Sequence, residues 1–209
     1  MKTIKGSVFS LSNDNKPIDY LTISGKIVSD ISVFSLGKNT DISSESYPSL
    51  SAIYLLSGQM ILNEKTISEG DFVTIAKNIN ARKESKEGAV YLEFNALEEK
   101  KMTELLQKGE VLKLKNLLPY QEGKIVNLDV LNTEKAKLSL LAMAKGTSLD
   151  GHKAPGEALL FILDGEGIIS YEGKDYKVKE GDNFSFAKNG LHALKATTDF
   201  KFALLLELC

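Results

Sequence analysis

The chain has 209 residues, 43% hydrophobic and 26% charged, the proportions of a globular protein with room for one large core or two small ones. Its 26 basic and 28 acidic residues give a formal charge of -2 and form no Lys/Arg-dense block, which argues against a nucleic-acid partner. The single cysteine, Cys209, excludes an internal disulfide and a cysteine-based zinc site. No signal-peptide core and no membrane-length apolar run is present, so a cytoplasmic protein is expected.

In chain order, short runs rich in Ile, Val, Leu, Phe and Tyr, separated by Gly, Asn and Asp, predict strands. The first half offers SDISVFSL (29–36), SAIYLLSG (51–58), DFVTIA (71–76) and AVYLEF (89–94). ALEEKKMTELLQKGE, Ala96 to Glu110, breaks this pattern: Leu97, Leu105 and Leu106 among Glu and Lys, without proline and with Gly109 as a stop, predict a helix. Strands resume with KLSLLAMA (137–144), EALLFILDG (157–165), GIISYEG (167–173), NFSFA (183–187) and KFALLLEL (201–208).

The two halves repeat each other. EGDFVTIAKNINA, Glu69 to Ala81, aligns without gaps on EGDNFSFAKNGLH, Glu180 to His192, sharing Glu-Gly-Asp and Ala-Lys-Asn. AIYLLSGQMIL (52–62) resembles LLFILDGEGII (159–169) in pattern, and GKIV occurs at Gly25–Val28 and again at Gly123–Val126. Collinear similarity at half the chain length predicts two copies of one structural unit, each a β-barrel or sandwich. Glu-Gly-Asp stands in both copies, which reads as turn chemistry.

The second half resembles a cupin. Gly146, five residues, His152 and then Gly165 fit the frame of the family's first motif. Gly181, five residues, Ala187-Lys188-Asn189 and His192 fit the second. The resemblance covers residues 111–209 directly and residues 20–98 through the repeat. It implies an all-β fold of two tandem cupin (double-stranded β-helix, jelly-roll) barrels: an N-terminal barrel over 1–97, a helical linker over 98–110, and a C-terminal barrel over 111–209.

Metal-binding cupins gather three histidines and a glutamate, so the resemblance implies His152 and His192 as ligands to a divalent Fe, Mn, Zn or Ni. Ala154 takes the second histidine's place and Ala158 the glutamate's. Glu157 is one residue off in strand alternation; a bulge at Pro155-Gly156 would turn it inward to complete a two-His-one-carboxylate set, and Asp150 shares the strand parity of His152. In the first copy Glu45, Tyr47, Ser51 and Ala81 take the four ligand places, so that barrel is expected to be structural or dimer-forming. Lys145, Lys153 and Lys188 lie in sequence near this second-half site. Two functions stand side by side: a module binding a small-molecule ligand, and a metal-dependent enzyme of oxygenase, isomerase or decarboxylase type. The chain is expected as a monomer or a homodimer.

Overall fold

A computed structural model describes residues 5–28, 30–97, 102–106 and 109–208. The chain divides into two compact units. One spans Leu11–Leu114; the other joins the N-terminal residues up to Ser10 to the chain from Lys115 onward. Among the described residues no helix is long and apolar enough to cross a membrane.

The first strand, β1 (Val8–Phe9), is built into the second unit. The first unit then contains α1 (Leu11–Asp14), β2 (Thr22–Val28), β3 (Ile31–Leu36), β4 (Thr40–Ser46), β5 (Leu50–Leu62), β6 (Lys65–Ser68), β7 (Asp71–Ile75), β8 (Asn80–Ser85), β9 (Ala89–Leu97) and β10 (Val111–Lys113). Its main sheet runs β10-β7-β5-β9-β3-β2, while β4, β8, β6 and the far end of β5 pair among themselves. Period-two alternation decides which side chains face inward. Ala81, Lys83 and Ser85 of β8 are buried, whereas Arg82 and Glu84 face out.

The second unit contains β11 (Ile125–Asn132), β12 (Ala136–Met143), β13 (Ser148–Lys153), β14 (Ala158–Asp164), β15 (Glu166–Tyr171), β16 (Lys174–Lys179), β17 (Asn183–Phe186), β18 (Leu191–Ala196) and β19 (Phe200–Glu207). One sheet is β1-β17-β14-β19-β12-β11 and the other β13-β18-β15-β16. β14 and β17 are buried along nearly their whole length; β14 accordingly reads as a continuous apolar run, while β17 buries Asn183 and Ser185 between its phenylalanines.

The repeat is present in backbone detail. The Gly70 and Gly181 amides donate to the Leu55 and Ile162 carbonyls (2.8 and 3.0 Å), and those of Asn78 and Asn189 to Tyr47 and Ala154 (2.7 and 2.8 Å). Both asparagines adopt a left-handed backbone, φ 62° and 64°, which asparagine tolerates better than most residues. The Asp71 and Asp182 carboxylates accept from the Ser68 and Lys179 amides, so Glu-Gly-Asp is indeed turn chemistry. The two GKIV segments are not equivalent: Gly25–Val28 ends β2, while only Ile125 and Val126 of the other lie in a strand, at the start of β11.

Two expectations change. Ala96 and Leu97 close β9, with Leu97 opposite Leu50 of β5, and residues 102–106 form a bridge and a turn rather than a helix. Long-range pairing overrides the local helix propensity there; the rest of the expected linker, 98–101 and 107–108, lies outside the described residues. The unit limits also differ from 1–97 and 111–209. β10 covers the edge of β7 in the first unit, and β1 covers the equivalent edge of β17 in the second. Covering a free edge protects the sheet against unwanted pairing.

The first unit buries a charge in its core. Lys83 has no exposed side-chain surface and pairs with Glu93 at 3.1 Å and with the half-exposed Glu45 at 2.9 Å. The Tyr47 hydroxyl donates to Glu93 at 3.0 Å, and burial foremost, then the Glu93 charge, keeps that phenol protonated well above its usual range. The cluster ties β4 and β8 to β9.

Gly58 and Gly165 both have φ above +70°. A Cβ on Gly58 would lie 2.2 Å from the Gly88 carbonyl oxygen, and one on Gly165 1.8 Å from that of Asp199. Gly173, φ 78°, has open space around it. Gly165→Ala is therefore expected to destabilise the second unit by ~3 kcal/mol or more, against ~1 kcal/mol for Gly173→Ala, where only the backbone preference is lost. Equal losses in denaturant unfolding would contradict the close approach. In the first unit, Glu93→Ala leaves Lys83 buried with one exposed partner and is expected to cost about 3–5 kcal/mol, whereas Lys83→Met/Glu93→Gln recovers most of it. Thermal unfolding of the three proteins checks both outcomes.

Candidate functional site

The two histidines meet on adjacent strands. β13 and β18 pair Leu149 with Leu194, then shift register by one extra residue on β13 so that His152 falls opposite His192. Such a bulge re-aims the residues beyond it. The imidazole centroids lie 4.2 Å apart with 54° between the planes. His192 is buried and stacks on Phe186 (centroids 4.2 Å, 26°), while His152 is exposed. One ring of the pair therefore faces solvent and the other faces the core.

Backbone carbonyls fix the tautomers. His152 Nδ1 lies 2.8 Å from the Asp150 carbonyl, and His192 Nδ1 3.1 Å from that of Gly190. A carbonyl only accepts, so each Nδ1 carries the hydrogen and each neutral ring keeps its lone pair on Nε2. Burial holds the His192 pKa below its usual 6.5; the Gly190 hydrogen bond opposes that shift and the neighbouring His152 adds to it.

The carboxylates do not join the pair. Glu157 lies in the connection before β14, and its half-exposed carboxylate forms an ion pair with Lys5. Pro155-Gly156 makes no strand bulge. Gly156 instead allows close packing, because a Cβ there would lie 1.9 Å from the Glu207 carbonyl oxygen. Asp150 meets His152 through its backbone carbonyl. Ala154 and Ala158 are buried in an apolar cluster that includes Phe184, Phe186, Phe200 and Phe202, with Ala158 opposite Phe186. Among the described residues no three His, Cys, Asp or Glu side chains gather as a metal site. Two imidazoles without a carboxylate fall short of the three protein ligands that a resident divalent ion takes.

The first unit carries the same ladder with other side chains. After a matching register shift, Glu45 stands opposite Ala81, where His152 stands opposite His192 in the second unit. Tyr47 and Ser51 are buried: Tyr47 bonds Glu93, and Ser51 donates to Asn95 at 3.1 Å. Sequence reasoning missed Lys83 and Glu93. Arg82-Lys83-Glu84 looks like a solvated charged face, and only the inward parity of Ala81 on the same strand reveals that Lys83 points into the barrel.

Residues 139–207 match a family model described as "Cupin domain". A solved structure described as a cupin 2 conserved barrel domain protein from Leptotrichia buccalis is 31% identical, covering 99% of this chain and 98% of that one, with a TM-score of 0.83. The salicylate 1,2-dioxygenase of Pseudaminobacter salicylatoxidans shares the fold alone: TM-score 0.60 at 12% identity, over 85% of this chain and 70% of that one. No curated protein sequence matches. With its paired motif frames folded into jelly-roll barrels, and a relative aligned from end to end, the chain belongs to the cupin family.

Proposed function

We propose that this chain is a small-molecule-binding bicupin whose C-terminal barrel holds its ligand at the His152–His192 pair. The observation that carries the reading is the tautomer lock. Two backbone carbonyls take the Nδ1 hydrogens, so each of the two imidazoles, with ring centroids 4.2 Å apart, keeps an Nε2 lone pair for a ligand. A ligand with two adjacent donor groups, such as a vicinal diol or an amino alcohol, satisfies both acceptors at neutral pH. Burial of His192 favours its neutral form and supplies one dry wall, while exposed His152 leaves an approach from solvent. The donor set as it stands does not fit a resident metal, because Glu157 is committed to Lys5, so no step of the reading passes through one.

Two experiments test this. In thermal unfolding with a panel of small diols and amino alcohols, a compound that stabilises the wild type is expected to lose its effect in His152→Ala and His192→Ala. Equal stabilisation of all three proteins removes the pair from the site. After exposure to Fe(II), Mn(II), Zn(II) and Ni(II) and gel filtration, wild type and His192→Ala are expected to carry equal metal. Stoichiometric metal that vanishes in the variant would replace this reading with a metal-dependent enzyme.

The pH dependence has a definite sign. The folded pKa of His192 lies below the unfolded 6.5, so below that pH the unfolded chain binds more protons than the folded one. The stability contribution is complete above pH 6.5 and is lost as the pH falls through the folded value. NMR titration is expected to place the His192 midpoint below 6.5. The decline in melting temperature on acidification below pH 6.5 is expected to be shallower in His192→Gln.

A further inference from the structure

The interior of the first unit carries a polar cluster that the barrel itself does not demand. Ladder registers match Lys83 with Leu194, which stand opposite Ile42 and Leu149. They also match Tyr91 with Phe202, opposite Leu55 and Ile162, and Glu93 with Leu204, opposite Ile53 and Leu160. Tyr47 matches Ala154, since each carbonyl accepts from the shared asparagine amide. In the second unit these positions are all apolar and lie in or against its core cluster. The same barrel therefore forms without the polar groups, and a buried ion pair is a poor exchange for apolar packing. Buried charges kept on such terms point to chemistry.

The cluster is incompletely bonded and open on one side. Glu93 Oε2 accepts from both Lys83 and Tyr47, at 3.1 and 3.0 Å. Tyr91 has no exposed surface, and its hydroxyl has no hydrogen-bond partner among the described residues. Such an orphaned hydroxyl is rare in a folded core. Its ring stacks on Phe34 with centroids 5.0 Å apart, and Lys83 Nζ stands over the Phe34 and Tyr47 rings at 5.8 and 5.3 Å. Burial foremost, then the Glu93 charge, keeps the Tyr91 phenol protonated; Tyr47 and the Glu45 charge also contribute. Of these side chains only Glu45 is exposed, over more than half of its surface, and it reaches Lys83 at 2.9 Å from β4, which pairs with β8 alone. Glu45 can swing out to solvent only if another anion replaces it, because Lys83 is otherwise left with one carboxylate in a dry interior.

We infer that the first unit binds a small carboxylate, separately from the histidine pair and without metal, and that Glu45 is the built-in stand-in for it. The ligand carboxylate takes the place of the Glu45 carboxylate on Lys83 and accepts a hydrogen bond from the Tyr91 hydroxyl, with the Phe34 and Tyr47 rings alongside. One carboxylate replaces another, so the charge of the cluster is unchanged. A neutral ligand would leave the ammonium under-compensated. This gives a binding role to the barrel whose sequence suggested a structural or dimer-forming one.

The test is thermal unfolding of the full-length protein at neutral pH in sodium acetate, with sodium chloride of equal ionic strength and neutral acetamide as controls. Glu45→Ala opens the place on Lys83, and acetate is expected to raise its melting temperature saturably, beyond chloride, while acetamide does not. In the wild type the tethered Glu45 competes, so the same rise is expected to need about ten-fold more acetate. Tyr91→Phe in the Glu45→Ala background is expected to raise the half-saturating acetate concentration about three- to ten-fold. Adding Lys83→Met/Glu93→Gln to Glu45→Ala is expected to abolish the effect. If Glu45→Ala fails to fold, Glu45→Gln takes its place in every arm. No acetate-specific rise in the Glu45 variant, or a rise that survives the loss of Lys83, overturns the site. A rise confined to the variant overturns the displacement of Glu45, and an equal response of wild type and variant overturns its role as stand-in. Equal stabilisation by acetamide overturns the carboxylate class, and an unchanged response in Tyr91→Phe removes that hydroxyl from the site.

Discussion

Each barrel turns from one sheet to the other at a place where two backbones come too close for a side chain. At Gly58 the chain passes the Gly88 carbonyl, and at Gly165 that of Asp199, at separations that no Cβ tolerates. These contacts fix where the strand leaves one sheet and enters the other. In the first unit β5 makes that passage as one thirteen-residue strand; in the second the same path is divided between β14 and β15. Once the crossing is fixed, period-two alternation assigns every later side chain to the interior or the surface. The extra residue on β13 and on β4 then sets His152 against His192 and Glu45 against Ala81.

On this shared frame the two interiors have taken opposite courses. The second unit is filled with aromatic rings and keeps its two imidazoles at the margin of that packing, one wet and one dry. The first keeps Phe72, Tyr91 and Phe94 buried and places a fully buried lysine between two glutamates and a tyrosine. The desolvation of a buried cation of this kind offsets much of its ion-pair attraction. The two units therefore share one scaffold and differ in what fills it.

Much of this architecture was legible in the sequence, because its turns rely on residues with special backbone freedom. Asn78 and Asn189 in left-handed conformations, and the Asp71 and Asp182 turn contacts, are the shared Ala-Lys-Asn and Glu-Gly-Asp letters. Features that depend on distant partners were not legible. Glu157 goes to Lys5, a residue from the other end of the chain, so no local reading of Pro155-Gly156 could place its carboxylate. The run from Ala96 has helical composition, yet its first residues extend a strand through pairing with Leu50.

The exchange of edge strands also bears on how the protein is made. β1 leaves the ribosome long before its partner β17, with the whole of the first unit synthesised between them. The first unit has all of its own strands once β10 has emerged, and so it can fold while the second is still being synthesised. β1 waits unpaired throughout that interval, and its contact with β17 closes a loop that contains the first unit. Closure of such a long-range contact is the slow kind. The same two-residue ladder makes the second unit discontinuous in sequence, so that no single cleavage separates the two barrels with each intact.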